Sequence, residues 1–179
     1  MLSLRGHFLL ASPSLRDPNF LRSVILITRH DDDGAVGVTI NNPLDATVAE
    51  VLGDDVEQAV DEPLRRGGPC DGPMMVLHDL AELDASDEVT SGIFYTHART
   101  DIERVMSEES VQAVYVIGYA GWQAEQLERE MSEGSWMTLP ASPGDVFGTT
   151  SDLWQRLSSR AGLLKFLPPD KIPEDPGLN

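Results

Sequence analysis

Cysteine is almost absent. Cys70 is the only one in 179 residues, so the chain can form no disulfide with itself and has no thiolate pair to hold a metal. Basic charge is scarce as well: 13 Lys and Arg stand against 30 Asp and Glu, for a formal net charge of −17. A surface of that sign repels a phosphate backbone before contact forms, which argues against direct nucleic-acid binding. Long apolar runs are missing too. The longest stretch without a charged residue, Ser110 to Ala124, holds Gln112 and two glycines and falls short of the ~18 apolar residues that read as a membrane-spanning helix. Near the N-terminus, the apolar piece Phe8 to Ala11 is shorter than the roughly 7–15 residues of a secretory hydrophobic region. A cytoplasmic protein, not associated with a membrane, is expected.

The motifs of common chemistry are also lacking. Neither GxxxxGK[ST] nor GxGxxG occurs, so no phosphate loop or dinucleotide fingerprint is present. His7, His30, His78 and His97 lie far apart with no HExxH pairing, and the run Asp31-Asp32-Asp33 does not fit a calcium loop: with Gly34 in sixth place, Arg29 and Ile40 fall on ligand positions. No cofactor and no metal are expected. The aspartates suit an exposed hairpin turn.

What is present is a foldable composition, 41% hydrophobic and 24% charged, enough to bury one core in a chain of this length. Ser23 to Arg29 is β-branched and apolar on both alternating faces, so this strand is expected to be covered on both sides. Ala35 to Ile40 follows across Asp33-Gly34, a hairpin signal. Further strands are expected at Gly6–Ala11, Met74–His78, Gly92–Thr96, Gln112–Ile117 and Trp136–Leu139. Thr47 with Glu50, and Thr100 with Glu103, have the capping-box spacing that opens helices near Val48–Leu52 and Asp101–Met106. A helix from about Gln123 to Glu133 stops at Gly134, and one over Asp152–Arg160 presents Leu153, Trp154, Leu157 and Ala161 as an apolar stripe ending at Gly162. Strands and helices do not alternate regularly, which favours an α+β arrangement over a doubly wound parallel sheet. The acidic run Asp54–Glu62 reads as a solvated helix or loop. One domain over 1–162 is expected, followed by a proline-rich C-terminal tail over 163–179.

Four places could carry function. Gly67-Gly68-Pro69 follows Arg65 and Arg66, and flexible amides beside two arginines could hold an anion; a tight turn before a strand, with the arginines pairing carboxylates, is the simpler reading. Gly118-Tyr119-Ala120-Gly121-Trp122 is expected to turn from a strand into a helix. That topology resembles a nucleophile elbow, but no serine lies within it. His78 beside Asp79 suggests a base and its orienter, yet neighbouring strand residues point to opposite faces, so a structural histidine fits better. Asp17, Phe20 and Asn41 complete the polar and aromatic loop residues.

Taken in order, the strings ASPSLRDPNFLRSVILITRH, GAVGVTINNP, RGGP, VLH and GYAGWQAEQLEREMSEGSW resemble the AlgH/YqgE family of bacterial proteins from about Gly6 to Ala161. Asp17, Pro18 and Phe20 match its D-P-x-F element, and Asn41 and Pro43 its N-x-P element. Gly67, Gly68 and Pro69 match G-G-P, while Gly118, Tyr119, Gly121 and Trp122 match its aromatic segment. Asn42 and Glu125 depart from the family pattern, where a basic residue and a glycine are common. The resemblance implies an α+β domain with a mixed, bifurcated sheet, part of it closed into a small barrel, surrounded by helices. It brings no catalytic mechanism.

Three functions remain. The first is a non-enzymatic binding or regulatory protein that recognises a protein partner or small ligand through Asp17, Phe20, Asn41, Gly67, Gly68, His78, Tyr119 and Trp122. The second is an enzyme using Asp17, His78 or Asn41 in a cleft. The third is a transcriptional regulator, a label some relatives carry, which the charge of −17 disfavours.

Overall fold

The structure, a computed structural model, describes residues 2–52 and 61–162. Most of the acidic run at 54–62, and the tail at 163–179, lie outside the described residues.

The central hairpin forms where the alternating apolar pattern places it. Strand β1 (His7–Ala11) pairs antiparallel with β2 (Val24–Asp31), which pairs antiparallel with β3 (Gly34–Thr39) across a tip at Asp32-Asp33. The expected tip, Asp33-Gly34, lies one residue later, and it is Gly34 that takes the positive φ, at 130°. Asp31 Oδ1 accepts the Asp33 N–H, so the acidic tip bonds to itself. Both faces of β2 are covered. Val24 and Leu26 join one core with Phe8, Leu10, Val38, Trp154 and Leu157, while Ile25 and Ile27 join a second with Leu9, Trp122, Leu127 and Trp136.

Six further strands extend the sheet: β4 (Pro43–Thr47), β5 (Pro63–Arg66), β6 (Cys70–His78), β7 (Asp87–Thr90), β8 (Ile93–Thr96) and β9 (Ala113–Gln123); β10 (Trp136–Pro140) completes it. Along the main path the order is β10-β1-β2-β3-β9-β6-β8-β7, with β4 and β5 branching off. The branch point is β9. Its residues Tyr115 to Ile117 pair in parallel with β5, and Ala120 to Gln123 pair antiparallel with β3 on the same edge, while β6 takes the other edge. The sheet is therefore mixed and forked.

It is not closed. β10 and β7 are the two ends of the path, and no ladder joins them among the described residues, which corrects the expected small barrel. The sheet curls strongly into a half-barrel, and its concave side is filled by helices: Val146 from α4 (Pro143–Val146) and Leu153, Trp154 and Leu157 from α5 (Leu153–Arg160) pack into the core.

Two expectations about the segment 118–123 are also overturned. It is strand and not a turn, and the helix α3 (Gln126–Ser132) starts three residues later than expected, after Glu125 in the left-handed region. Gly118, at φ 76°, kinks β9 where it changes partners; a Cβ there would sit 2.7 Å from the Cys70 carbonyl oxygen, so only glycine fits. At the other end of α3, Gly134 (φ 78°) donates to the Met131 carbonyl and Ser135 to that of Glu130, ending the helix as its glycine predicts.

The capping box at Thr47 and Glu50 forms, with the Thr47 N–H donating to Glu50 Oε2 at 2.8 Å, and opens α1 (Val48–Leu52). The one at Thr100 does not. Helix α2 (Arg99–Ser107) starts two residues earlier because Thr96 Oγ1 accepts the Ala98 N–H, and Glu103 pairs with Arg99 instead. Both helices cover a third core, including Val48, Leu64, Val76, Ile102, Val105 and Tyr115. Among the described residues, no helix is long and apolar enough to cross a membrane.

Candidate functional site

The loop between β1 and β2 is built by short local bonds. Exposed Asp17 accepts the Asn19 N–H at 2.9 Å and its side-chain N–H at 3.1 Å, and its carbonyl accepts from Phe20 N–H. This turn delivers Phe20 inward and Arg22 into a left-handed conformation, φ 54°. Asn41, just past β3, pins the result: its Oδ1 accepts the Val24 N–H at 2.8 Å and its Nδ2 donates to the Arg22 carbonyl at 2.9 Å. The guanidinium of Arg22 lies 4.9 Å from the ring centre of Trp154, whose Nε1–H donates to the Ala11 carbonyl. A cation over an indole face adds attraction beyond burial.

These residues wall a groove of about 520 Å³. One side carries Pro18, Asn19, Arg22 and Asn41 to Pro43, and the other Thr150 to Trp154. The D-P-x-F and N-x-P elements thus meet a segment more than 100 positions away, which the sequence had marked only as a helix start. Asp152 in that segment is also left-handed, at φ 57°. Of the three non-glycine residues with positive φ among the described residues, Arg22, Glu125 and Asp152, two line this groove, Arg22 and Asp152. Such strain concentrates at ligand clamps. Arg160 steadies the far wall: its Nη1 donates to both carboxylate oxygens of Asp145, at 2.8 and 2.7 Å, and so ties α5 to α4. Burial acts to raise the Asp145 pKa, but the bonds from Arg160 and Ser142, with the charges of Arg160 and Arg156, outweigh it and hold the carboxyl below its ordinary value.

Phe20 and Trp122 meet elsewhere. With Trp136 they form an aromatic triangle: Phe20 is edge-on to Trp136 at 5.4 Å between centroids, Trp136 edge-on to Trp122 at 6.0 Å, and Phe20 stacks on Trp122 at 6.4 Å. Glu130 of α3 holds it, since its Oε2 accepts the Nε1–H of Trp122 at 2.9 Å and of Trp136 at 2.8 Å. Trp136 and Glu130 were not singled out in the sequence. The spacing of Glu130 from the two indoles carries no local pattern.

Gly67 and Gly68 form the β5–β6 connection and pass directly under β9. A Cβ on Gly68 would lie 2.2 Å from the Tyr119 carbonyl carbon, and one on Gly67 2.2 Å from the Gly118 oxygen. The two glycine motifs exist for this backbone crossing at the fork, and Tyr119 packs its ring against Gly72 and Gly121 beside it. Arg65 does not turn toward an anion. Its Nη1 donates to the Ile40 carbonyl at 2.7 Å, and burial lowers its pKa against the opposing effect of Glu62.

His78 stands apart from all of these, fully buried where β6 ends. Its Nε2 is 2.9 Å from Ser86 Oγ, which also donates to the Tyr95 carbonyl at 3.2 Å, and its ring stacks on Phe94. Nδ1 makes no hydrogen bond among the described residues. Asp79 does not bond to the ring; it accepts the Gln112 N–H. This is a serine beside a histidine, but no carboxylate among the described residues bonds to Nδ1 to orient the ring, and the imidazole is fully buried.

Comparison with known proteins agrees with this architecture. The AlgH-like family profile matches residues 8–164. A UPF0301 protein of Xanthomonas oryzae pv. oryzae is 41% identical over 169 residues, covering 89% of this chain and 90% of its own. The solution structure of the AlgH protein from Pseudomonas aeruginosa superposes with a TM-score of 0.72 at 30% identity, covering 93% of each chain. A crystal structure of a Corynebacterium diphtheriae protein gives 0.76 at 25% identity, over 97% of this chain and 94% of that one.

Proposed function

The chain belongs to the AlgH-like family, and from that premise we propose that it is a cytoplasmic binding or regulatory protein that recognises a small ligand or a short protein segment in the groove between the Pro18–Ser23 loop and the Thr150–Trp154 turn. One observation carries the reading: two family motifs and a distant helix start converge on this groove, with a strained residue on each wall. Asn42, Thr150 and Ser151 offer amide and hydroxyl groups along it, while Pro18, Leu21 and Pro43 supply apolar surface. A mixed lining with a few polar groups is the usual character of a recognition site. Asn41 shapes the groove and does not greet the ligand, because both its polar atoms serve the backbone.

The enzymatic alternative, with Asp17, His78 or Asn41 in a cleft, would need a reachable imidazole, and that of His78 is fully buried. A regulator that grips DNA is disfavoured by the charge of −17.

Screening the purified protein by ligand-detected NMR against small metabolites and short peptides, and mapping hits on its 15N amides, tests the proposal. Shifts are expected at Arg22, Asn42, Ser151 and Asp152, and Asn42→Trp, which fills the groove, should abolish them. Ligands that map elsewhere, or turnover of ester, phosphoester or peptide substrates that disappears in Ser86→Ala, would refute it.

A further inference from the structure

The region around His78 plays no part in the groove, yet it gathers an unusual set of long-range polar bonds. All of them fasten one segment. The Ala85 N–H donates to Asp101 Oδ2 at 3.0 Å, and Thr96 Oγ1 donates to the Ala85 carbonyl at 3.0 Å. Ser86 Oγ donates to the Tyr95 carbonyl at 3.2 Å and shares a hydrogen bond of 2.9 Å with His78 Nε2. The hydroxyl of Ser86 therefore ties the imidazole of His78 to the Tyr95 strand through one shared hydrogen bond.

We propose that the segment from Asp79 to Ser86 is an acid-released latch, caught at neutral pH by the hydrogen bond between the buried imidazole of His78 and the hydroxyl of Ser86. A proton added to the imidazole would place a full charge in a site closed to water. The groups facing the ring decide whether the site tolerates this. Asp79, next in the chain, and Asp101 on α2 favour the imidazolium, as does the Leu80 backbone. The strand partners of His78, Phe94 on β8 and Ala113 on β9, bring no charge. Burial is the larger effect and lowers the pKa below 6.5. Both carboxylates are in addition already engaged by backbone N–H groups, Asp79 by Gln112 and Asp101 by Ala85. Letting go of the segment exposes the ring, restores its ordinary affinity for a proton, and so becomes favourable as pH falls. The closed form binds fewer protons than the open one between pH 6.5 and its own lowered value; over that window acid shifts the balance toward opening, and above pH 6.5 the catch is fully set.

Amide hydrogen exchange on the intact protein, corrected for intrinsic rates and followed by mass spectrometry from pH 7.5 to 5.5, reads the latch directly. Ordinary carboxylates remain ionised across this range. Opening of 79–86 is expected to rise by up to about tenfold, from one proton taken up on opening, while amides of β2 stay unchanged. His78→Gln keeps an N–H for Ser86 but cannot titrate, and should remove the rise. Ser86→Ala removes the catch and leaves the ring, so its segment should exchange faster than wild type already at pH 7.5. A rise below twofold in the wild type, the same rise in His78→Gln, or unchanged exchange in Ser86→Ala at pH 7.5 would each overturn the proposal.

Discussion

Replacing Asn41 with alanine strips two bonds from the groove at once. The Val24 N–H loses an acceptor at 2.8 Å and the Arg22 carbonyl loses a donor at 2.9 Å. Val24 is fully buried, so water cannot take the vacated place beside it. A buried donor left unpaired costs about 1–3 kcal/mol, and the second, part-buried bond contributes about 1 kcal/mol, so Asn41→Ala should destabilise by about 2–4 kcal/mol. Domains of this size lose roughly 2–4 °C of melting temperature per kcal/mol, giving a drop of about 4–16 °C. The strained Arg22, at φ 54°, is held partly by this pin, and its amide signal should move most in an NMR spectrum of the variant. Asn41→Asp keeps the acceptor but sets a carboxylate against the Arg22 carbonyl, so an intermediate loss is expected. Thermal melts paired with urea titrations check the size of the effect. A loss below about 1 kcal/mol with an unchanged urea slope would refute the reasoning: Asn41 would then be no backbone pin, and its conspicuous position would have to come from direct ligand contact.

Two other perturbations follow from the same geometry. Glu130→Ala leaves two indole N–H groups without their shared acceptor; with hydrogen bonds to a charged group contributing about 1.5–3 kcal/mol each and partial rescue by water, a loss of about 2–4 kcal/mol is expected, together with a shift in tryptophan emission, and an unchanged emission spectrum would refute the clamp. Asp145 has its pKa held down in the folded state, so the stability it contributes is present above its ordinary value of 3.8 and disappears as pH falls through the lowered one. Asp145→Asn should therefore be less stable at pH 7, by about 1–2 kcal/mol because Arg160 is half-exposed, yet lose less than wild type on acidification below pH 4; parallel stability curves for the two would contradict this.

Much of the architecture is local in origin and could be read along the chain. A strand apolar on both faces, such as Val24 to Ile27, has one stable solution, which is burial between two layers, and it is found between two cores. Thr47 with Glu50 and the glycine at 134 set helix ends because their bonds span only a few residues. The failures have an equally physical cause. Thr100 carries the same capping pattern, but Thr96 and Asp101 fix the helix start through tertiary bonds that outcompete it. Gly118 to Trp122 has the composition of a turn, and it remains strand because β3 offers it a partner once the chain has kinked at Gly118.

The candidate residues divide along the same line. Composition alone settled that the molecule is acidic and holds one cysteine, since these need no coordinates. The residue types at Asp17, Asn41, Gly67, Gly68 and Trp122 mark places where backbone or rings are under special demand, but not whether a ligand or the fold makes it. Only the tertiary structure separated them: the glycines let two backbones cross, Asn41 braces a strained loop, His78 is sealed behind Ser86, and the groove takes its far wall from Thr150 to Trp154. Neighbours that share a wall across more than 100 residues are brought together by the packing of a curled sheet around Trp154, and no periodicity within either segment encodes that meeting.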